Sequence, residues 1–128
     1  MPDTPPRPTD AELEILTVLW SLGPSTVRDV HAAITRRRPA QYSTVLKFLQ
    51  IMAGKGLVRR NEKQRAHVYE AARPSEWTQR QLAGDLLQRA FNGSAKSLML
   101  GALSASKASK ADLAEMRRLL DEYEKRTR

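Results

Sequence analysis

Apolar residues recur at helical spacing near the start of the chain, directly after a stretch rich in proline. Residues 1–8 contain four prolines and little surface to bury, so we predict a flexible arm there. Thr9 and Glu12 have the spacing of a capping box, which begins a helix by satisfying its free backbone amides. Gly23 and Pro24 then end this first helix. Its apolar positions are Leu13, Leu16, Leu19 and Trp20.

A second and a third helix follow, each with one apolar face. The second begins at Ser25 or Thr26 and ends before Pro39, because a proline disfavours helix in the residue that precedes it. Its apolar positions are Val27, Val30 and Ile34. The third helix covers about residues 42–55, and Gly56 suits the left-handed position that ends a helix. Its apolar positions are Val45, Leu46, Phe48, Leu49 and Met52.

The third helix also has a polar face at the same spacing. This face consists of Ser43, Lys47, Gln50 and Gly54. Each of these residues is small, amide-bearing or cationic, and hydroxyl, amide and ammonium groups are the ones that meet base edges in the major groove of DNA. The polar face is therefore a candidate surface for reading nucleic acid.

Two short extended runs after the third helix predict a β-hairpin. They cover residues 57–60 and 66–69, and a polar turn over residues 61–65 joins them. Three helices followed by a hairpin is the order of elements in a winged helix, in which the second and third helices form the helix-turn-helix. The predicted fold is mainly α with a small β-hairpin, and residues 9–73 form a winged helix-turn-helix domain.

Helical spacing returns in the rest of the chain. One helix begins at Ser75 and stops at Asn92-Gly93, and a second spans residues 94–103. After a weakly patterned stretch, the last helix begins with a second capping box, formed by Ser109 and Asp112. The sequence therefore predicts a purely helical segment after the winged helix.

This helical segment, residues 74–128, is too small to bury its apolar faces alone. A second copy of the chain is the simplest partner, and the last helix has a seam like that of a coiled coil. The same seam could instead pack within one chain. We expect a dimerisation domain whose interface residues are Leu86, Phe91, Leu98, Leu113, Met116, Leu120 and Tyr123.

The net charge of +8 adds a constraint, because the positive charge is concentrated around residues 36–60. No acidic residue lies between Asp29 and Glu62. The basic residues in this interval are Arg36, Arg37, Arg38, Lys47, Lys55, Arg59 and Arg60. Solvated helix faces usually mix both signs, so an acid-free interval of this length favours a surface that faces phosphates.

The sequence does not support several other classes of protein. The absence of cysteine excludes disulfide frameworks and thiolate sites, and His31 and His67 lack partners at ligand-like spacing, so we interpret them as structural. No paired carboxylates, glycine-rich phosphate loop or nucleophile–base arrangement indicates an enzyme, and no cofactor is expected. Neither a signal-peptide pattern nor an apolar run near the roughly 18 residues of a membrane span occurs, so we expect a cytoplasmic protein.

A basic RNA-associated protein is the alternative to a DNA-binding protein. RNA-binding modules usually expose stacking aromatic residues on a sheet, whereas only 5% of this chain is aromatic. The order of three helices and a wing, with a dimer-like tail, favours DNA.

Five segments together resemble the penicillinase-repressor family, the BlaI/MecI type. They are ELEILTVLW (12–20), STVRDVHAAI (25–34), YSTVLKFLQ (42–50), KGLVRR (55–60) and RAHVYEA (65–71). The agreement of several motifs in order and spacing makes the resemblance specific. It implies a bacterial transcriptional repressor that binds dyad-symmetric operators as a homodimer, with intertwined C-terminal helices and the third helix in a major groove.

The resemblance places the start of the recognition helix at residues 42–45, with Ser43 and Thr44 near a phosphate or the first bases. Lys47 stands where the family often has a hydroxyl residue. Lysine can donate to guanine but cannot accept a hydrogen bond, so we expect a different base preference. The candidate DNA-binding residues are Tyr42, Ser43, Thr44, Lys47, Gln50, Arg36, Arg37, Arg38, Lys63 and Arg65.

For some of these basic residues a second interpretation stays open. Residues 36–38 could be the solvated end of a helix rather than a phosphate contact, and Lys63 and Arg65 could be the solvated tip of the hairpin. Arg59 and Arg60 are neighbours on one strand and point to opposite faces, so at most one of them should face DNA.

The chain departs from the family in two features that concern regulation. In well-known members a sensor protease cuts the C-terminal segment at an Asn-Phe step, where this chain has Gly101-Ala102. Copper-responsive relatives carry a cysteine-rich tail, and this chain has no cysteine. The expected partners are double-stranded operator DNA, a second copy of the chain and an unidentified sensor or protease, with no membrane partner.

Overall fold

The fold is described from a computed structural model, over residues 7–63 and 65–127. Most of the predicted arm over residues 1–8 lies outside this part of the chain. In chain order the elements are α1 (Asp10–Leu22), β1 (Ser25–Thr26), α2 (Val27–Thr35), α3 (Tyr42–Lys55), β2 (Val58–Asn61), β3 (Val68–Ala71), α4 (Ser75–Arg89), α5 (Ala95–Ala105) and α6 (Lys110–Arg126). The predicted class, mainly α with a small β component, is confirmed.

Local hydrogen bonds at the helix termini explain why the helices begin and end where they do. Thr9 accepts from the backbone of Glu12, which in turn accepts from the backbone of Thr9, so the predicted capping box of α1 is confirmed. Thr26 rather than Ser25 caps α2, again through a capping box. The Ser109/Asp112 box of α6 is confirmed as well. At the end of α3, Gly56 has φ 82° and ψ 13°, a left-handed conformation that glycine adopts without steric cost.

The hairpin lies one to two residues later than the sequence indicates, and it belongs to a three-stranded sheet. The strands follow the order β1-β3-β2 and are antiparallel, with Val58 opposite Ala71 and Ser25 opposite Tyr69. The sequence did not predict β1, because two residues carry no alternating pattern. Its pairing with β3 exists only once the helices have brought the two segments together.

The core of the winged helix is formed by α1–α3 and the inner face of the sheet. Val30, Leu49 and Met52 are fully buried, and Tyr69 of β3 is 1% exposed. The predicted apolar faces of α2 and α3 are confirmed. In α1 the buried face is wider than predicted, because this helix packs against both α2–α3 and β3. Its buried residues are Glu12, Ile15, Leu16, Val18 and Leu19, whereas Leu13 and Trp20 of the predicted face are only partly buried.

Contacts divide the chain into two compact units, Met1–Ala83 and Gly84–Arg128. The division falls inside α4, so the first turns of that helix are grouped with the winged helix. In the second unit Asn92 and Gly93 have positive φ angles of 50° and 77°, which ends α4 near the predicted position. None of the described residues of this unit is buried. No helix in the described part of the chain is long and apolar enough to cross a membrane.

Candidate nucleic-acid interface

The polar face of α3 is exposed along its length, opposite the face that packs in the core. Ser43, Thr44, Lys47 and Gln50 are all exposed, and Tyr42 at the N-terminus of α3 is 49% exposed. Val45, Leu49 and Met52 hold the other side of the helix in the core. The rigid attachment of one face leaves the opposite face free to enter a groove of matching width, and the major groove of DNA admits one helix.

A groove of about 550 Å³ runs between α3 and the hairpin. Of the predicted residues, Tyr42, Gln50 and Arg65 line it. The structure adds residues that the sequence analysis did not place there, namely Thr26, Arg28, Arg60 and His67. Three guanidinium groups, those of Arg28, Arg60 and Arg65, therefore lie in the groove beside α3. Of these three arginines, only Arg60 lies in the acid-free interval of the sequence. No local pattern distinguishes Arg28 from an ordinary solvated residue.

The two neighbouring arginines of β2 have different surroundings. Arg59 donates to the carbonyl oxygen of Ala72 at 3.1 Å, whereas Arg60 lines the groove. Arg60 lies 3.2 Å from a carboxylate oxygen of Glu62, which is also 3.7 Å from His67. One acidic side chain at the base of the turn therefore partly neutralises the basic end of the groove. Ion pairs this exposed are weak, so a phosphate can compete for Arg60.

The hairpin turn carries the predicted Lys63. Its side chain is exposed and is not part of the groove lining, and its backbone N–H donates to Asn61 Oδ1 at 2.9 Å. Asparagine commonly stabilises turns in this way. The turn therefore presents Lys63 outside the groove and Arg65 inside it.

The basic triplet Arg36–Arg38 lies in the turn after α2 and not in the groove beside α3. Arg38 pairs with Glu14 of α1 at 2.6 Å, and the carboxylate raises the pKa of Arg38 above its ordinary value. Arg37 lies beside the same acidic stretch of α1, and Arg36 lies near Asp29 at the other side of α2. Arg38 and Thr44 share a shallow cavity of about 420 Å³ at the start of α3. Of the predicted arginines, the structure thus places Arg65 in the groove beside α3 and Arg36–Arg38 outside it.

An ion pair between the buried Glu12 carboxylate and the partly exposed Lys55 ammonium connects the end of α3 to α1. Glu12 is 2% exposed, and one of its carboxylate oxygens accepts from Lys55 Nζ at 2.8 Å. Burial raises the pKa of Glu12, but hydrogen bonds from Lys55 and from the Thr9 backbone outweigh this effect, so its pKa lies below the ordinary value. Sequence reasoning used Glu12 only as a cap. Glu12 lies on the apolar face of α1, and a carboxylate at such a position predicts a cationic or hydrogen-bonding partner in the core.

Each histidine has a polar neighbour within the polypeptide. His31 Nε2 lies 2.8 Å from the carbonyl oxygen of Ala40, and His67 lies near Glu62. Within residues 7–63 and 65–127, no group of three or more histidine, cysteine, aspartate or glutamate residues is arranged to hold a metal ion.

The second unit exposes many of its large apolar side chains. Of the predicted interface residues, Leu86, Leu120 and Tyr123 are about half exposed or more, and the rest are half-buried. Three further apolar residues are exposed, namely Met99, Leu100 and Leu119. Phe91 packs on Gly101, where a Cβ would lie 3.5 Å from its ring. The step Gly101-Ala102 lies within α5.

A helix-turn-helix followed by an antiparallel wing, with a polar helix face exposed between arginines, defines a winged-helix DNA-binding protein. The family model described as penicillinase repressor matches residues 8–122. The chain therefore belongs to the penicillinase repressor family, and the resemblance noted from its motifs is confirmed. The proteins that define this family are transcriptional repressors, not enzymes.

Two relatives illustrate the match. The transcriptional regulator BlaI of Mycobacterium tuberculosis (strain ATCC 25618 / H37Rv) is 35% identical over 117 residues, which cover 90% of this chain and 83% of the relative. The penicillinase repressor of Bacillus licheniformis is 23% identical over 121 residues, which cover 94% of each chain.

Two solved structures confirm the winged-helix fold. The DNA-binding domain of the repressor BlaI matches with a TM-score of 0.51 and 22% identity, over 56% of this chain and 88% of that one. Monomeric BlaI of Bacillus licheniformis, solved in complex with the blaP half-operator, matches with a TM-score of 0.50 and 22% identity, over 57% of this chain and 89% of that one.

Proposed function

We propose that the protein is a sequence-specific transcriptional repressor that binds dyad-symmetric operator DNA as a homodimer. One observation carries the proposal: the exposed polar face of α3 lies beside a groove bordered by Arg28, Arg60 and Arg65. A helix face that can read bases and arginines that can hold the flanking phosphates are the two parts of specific recognition. The family's repressors and the half-operator complex of one relative support the same function.

The exposed residues of α3 can make two kinds of contact with DNA. Lys47 can donate to O6 and N7 of guanine, and the Gln50 amide can both donate to and accept from adenine. Ser43 and Thr44 bring hydroxyl groups to the first turn of the helix, where a phosphate or an outer base lies within reach. We therefore assign Lys47 and Gln50 to the central bases and the first turn, with Tyr42, to an outer base at the edge of the contact.

The remaining basic residues are assigned to the sugar–phosphate backbone. Arg60 and Arg65 of the hairpin border the groove, and Arg28 lies in the first turn of α2, where free amides and the helix dipole also favour anions. Lys63 and the triplet Arg36–Arg38 lie outside the groove, so we assign them to phosphates farther from the centre of the site. Arg38 contributes least, because Glu14 already neutralises it.

The second unit supports the homodimer. It exposes Leu86, Leu120 and Tyr123, and its described residues include none that is buried, so its apolar faces lack a core within one chain. A second copy related by a twofold axis would cover the same surface on both chains. We assign Leu86, Phe91, Leu98, Leu113, Met116, Leu120 and Tyr123 to that interface, together with Met99, Leu100 and Leu119.

A homodimer of this design represses by occupying a promoter. Two winged helices at a fixed separation contact two half-sites about one or two helical turns apart, and their weak individual affinities combine into specific binding. Promoter DNA in bacteria lies in the cytoplasm, so we place the protein there. A sensor or protease that relieves repression would have to act other than at an Asn-Phe step, because α5 carries Gly101-Ala102.

The first experiment measures binding to the DNA upstream of the protein's own gene by footprinting and titration at several salt concentrations. We expect a protected dyad with two half-sites, and a logarithm of affinity that falls linearly with the logarithm of salt concentration. Lys47→Ala should lose about 1–3 kcal/mol of discrimination at the contacted base.

Lys107→Ala is the matched control, because it removes the same charge from an exposed position between α5 and α6. It should leave the footprint unchanged. Weak binding to all DNA, equal for wild type and both variants, would contradict operator reading and leave only a general polyanion surface. Tighter binding to RNA than to any duplex would favour the RNA-associated alternative.

A further inference from the structure

One histidine of α2 contacts both the turn of the helix-turn-helix and the first residue of the helix that follows. His31, half-buried on α2, has its Nε2 atom 2.8 Å from the carbonyl oxygen of Ala40. The same imidazole makes an edge-to-face contact with the ring of Tyr42, with 5.6 Å between ring centroids and 72° between ring planes. Ala40 belongs to the turn, and Tyr42 is the first residue of α3.

We propose that His31 is a positioning residue for DNA recognition, which fixes the Tyr42 side chain at the entrance of the recognition helix. The proposal rests on the proposed function, because it assigns to Tyr42 a contact with DNA. It goes beyond that function by naming a residue outside the DNA-facing surface that sets the specificity of the contact.

The hydrogen bond fixes the orientation of the imidazole. A carbonyl oxygen only accepts, so Nε2 must carry the proton and donate it to Ala40. This bond holds the ring in one plane, and α2 holds its Cα. Among aromatic pairs, an edge-to-face contact is favoured because the positive edge of one ring meets the negative face of the other. The fixed imidazole therefore restricts the orientations open to the Tyr42 ring.

The location of Tyr42 gives this restriction a consequence for binding. Its side chain is 49% exposed, and it lines the groove together with Gln50 and Arg28. An exposed tyrosine without a neighbour would lose rotamer freedom when it contacts DNA, which costs about two- to tenfold in affinity for a side chain of this size. With His31 in place, most of that ordering has already occurred in the free protein.

A double-mutant cycle in the full chain tests the proposal. The wild type first selects a duplex from a random-sequence pool, and affinity is then measured for this duplex and for a scrambled duplex of equal composition. We expect His31→Ala to weaken binding to the selected duplex about two- to tenfold, with little change on the scrambled one. In the Tyr42→Ala background the same substitution should have no further effect.

Two further variants separate positioning from support of the fold. His31→Phe keeps an aromatic edge beside Tyr42 but cannot donate to Ala40, and His31→Gln keeps a donor without the ring. We expect both variants to lose most of the discrimination between the two duplexes at a melting temperature near that of the wild type, because positioning Tyr42 needs the ring and its hydrogen bond together. These two variants also test whether His31 positions Tyr42 if the His31→Ala variant does not fold.

The outcomes are distinct. Losses that add in the cycle, or discrimination kept in full by either the phenylalanine or the glutamine variant, would overturn the role of His31 while leaving the proposed function intact. If the wild type selects no preferred sequence from the pool, the proposed function fails, and the role of His31 fails with it.

Discussion

At the scale of single residues, the contact between Glu12 and Lys55 connects the start of α1 to the end of α3. Glu12 caps α1 through Thr9 and receives a hydrogen bond from Lys55, the last residue of α3. A buried carboxylate that lost its cation would keep its desolvation cost without compensation. The pair therefore holds the C-terminal end of the recognition helix against α1, and its effect on stability should depend on pH.

Glu12→Gln should lower the free energy of unfolding by about 1–3 kcal/mol at pH 7, because the amide keeps the capping bond but loses the charge. The folded-state pKa of Glu12 lies below its ordinary value of 4.5. A carboxyl of this kind stabilises the fold above its unfolded pKa and loses that contribution as pH falls through the folded pKa. The difference between variant and wild type should therefore shrink below about pH 4.5, as urea unfolding across pH would show.

Glu14→Gln is the control for this series. Glu14 is two residues away and pairs with Arg38, whose side chain is 52% exposed. Exposed pairs contribute about 0–1 kcal/mol, so its loss should be small at every pH. Equal losses for the two variants at pH 7 would contradict a special role for the buried pair.

At the scale of elements, local chemistry determines where the helices begin and end. Three capping boxes begin α1, α2 and α6, and glycines in the left-handed region follow α3 and α4. These signals act between residues three or four positions apart, so they can be identified in the sequence. The strands differ, because β1 and the register of β2 with β3 depend on partners far along the chain.

Two glycines of the second half of the chain should respond to alanine in opposite ways. Gly84 lies inside α4 and has no atom within 4 Å of an added Cβ, so Gly84→Ala should stabilise the helix by about 0.5–1 kcal/mol. Gly93 has φ 77°, and Gly93→Ala should destabilise the protein by about 1 kcal/mol.

Thermal unfolding at one fixed protein concentration compares the two glycine variants directly, because association makes the melting temperature depend on concentration. Equal shifts of the same sign would show that backbone conformation does not decide the effect at these positions.

At the scale of the whole molecule, the two units differ in what their surfaces expose. The described part of residues 1–83 buries a core and presents a basic groove, whereas the described part of residues 84–128 leaves apolar side chains exposed. Exposed apolar surface of this kind commonly marks an association site. A repressor that works through paired half-sites needs both properties in one chain.

Leu120→Glu should shift the proposed homodimer toward monomer, because a buried carboxylate without a partner opposes association. We expect the dimer dissociation constant to rise at least about tenfold, equivalent to about 1.4 kcal/mol, in sedimentation equilibrium. Ala111→Glu adds the same charge to α6, nine residues earlier and hence about half a turn away from Leu120. It should leave the dimer intact, and a dimer that tolerates Leu120→Glu would place the interface elsewhere.

The sequence by itself determined the helices, the buried faces of α2 and α3, the polar face of α3 and the family, because all of these follow from residue type and short-range spacing. Only the tertiary structure decided which cations border that face. It brought Arg28 and Arg60 into the groove with Arg65, paired Arg38 with Glu14, and buried the contact between Glu12 and Lys55. Electrostatic and hydrogen-bonded contacts between distant segments depend on distances of a few ångströms that no local pattern specifies, and so they are decided only when the core packs.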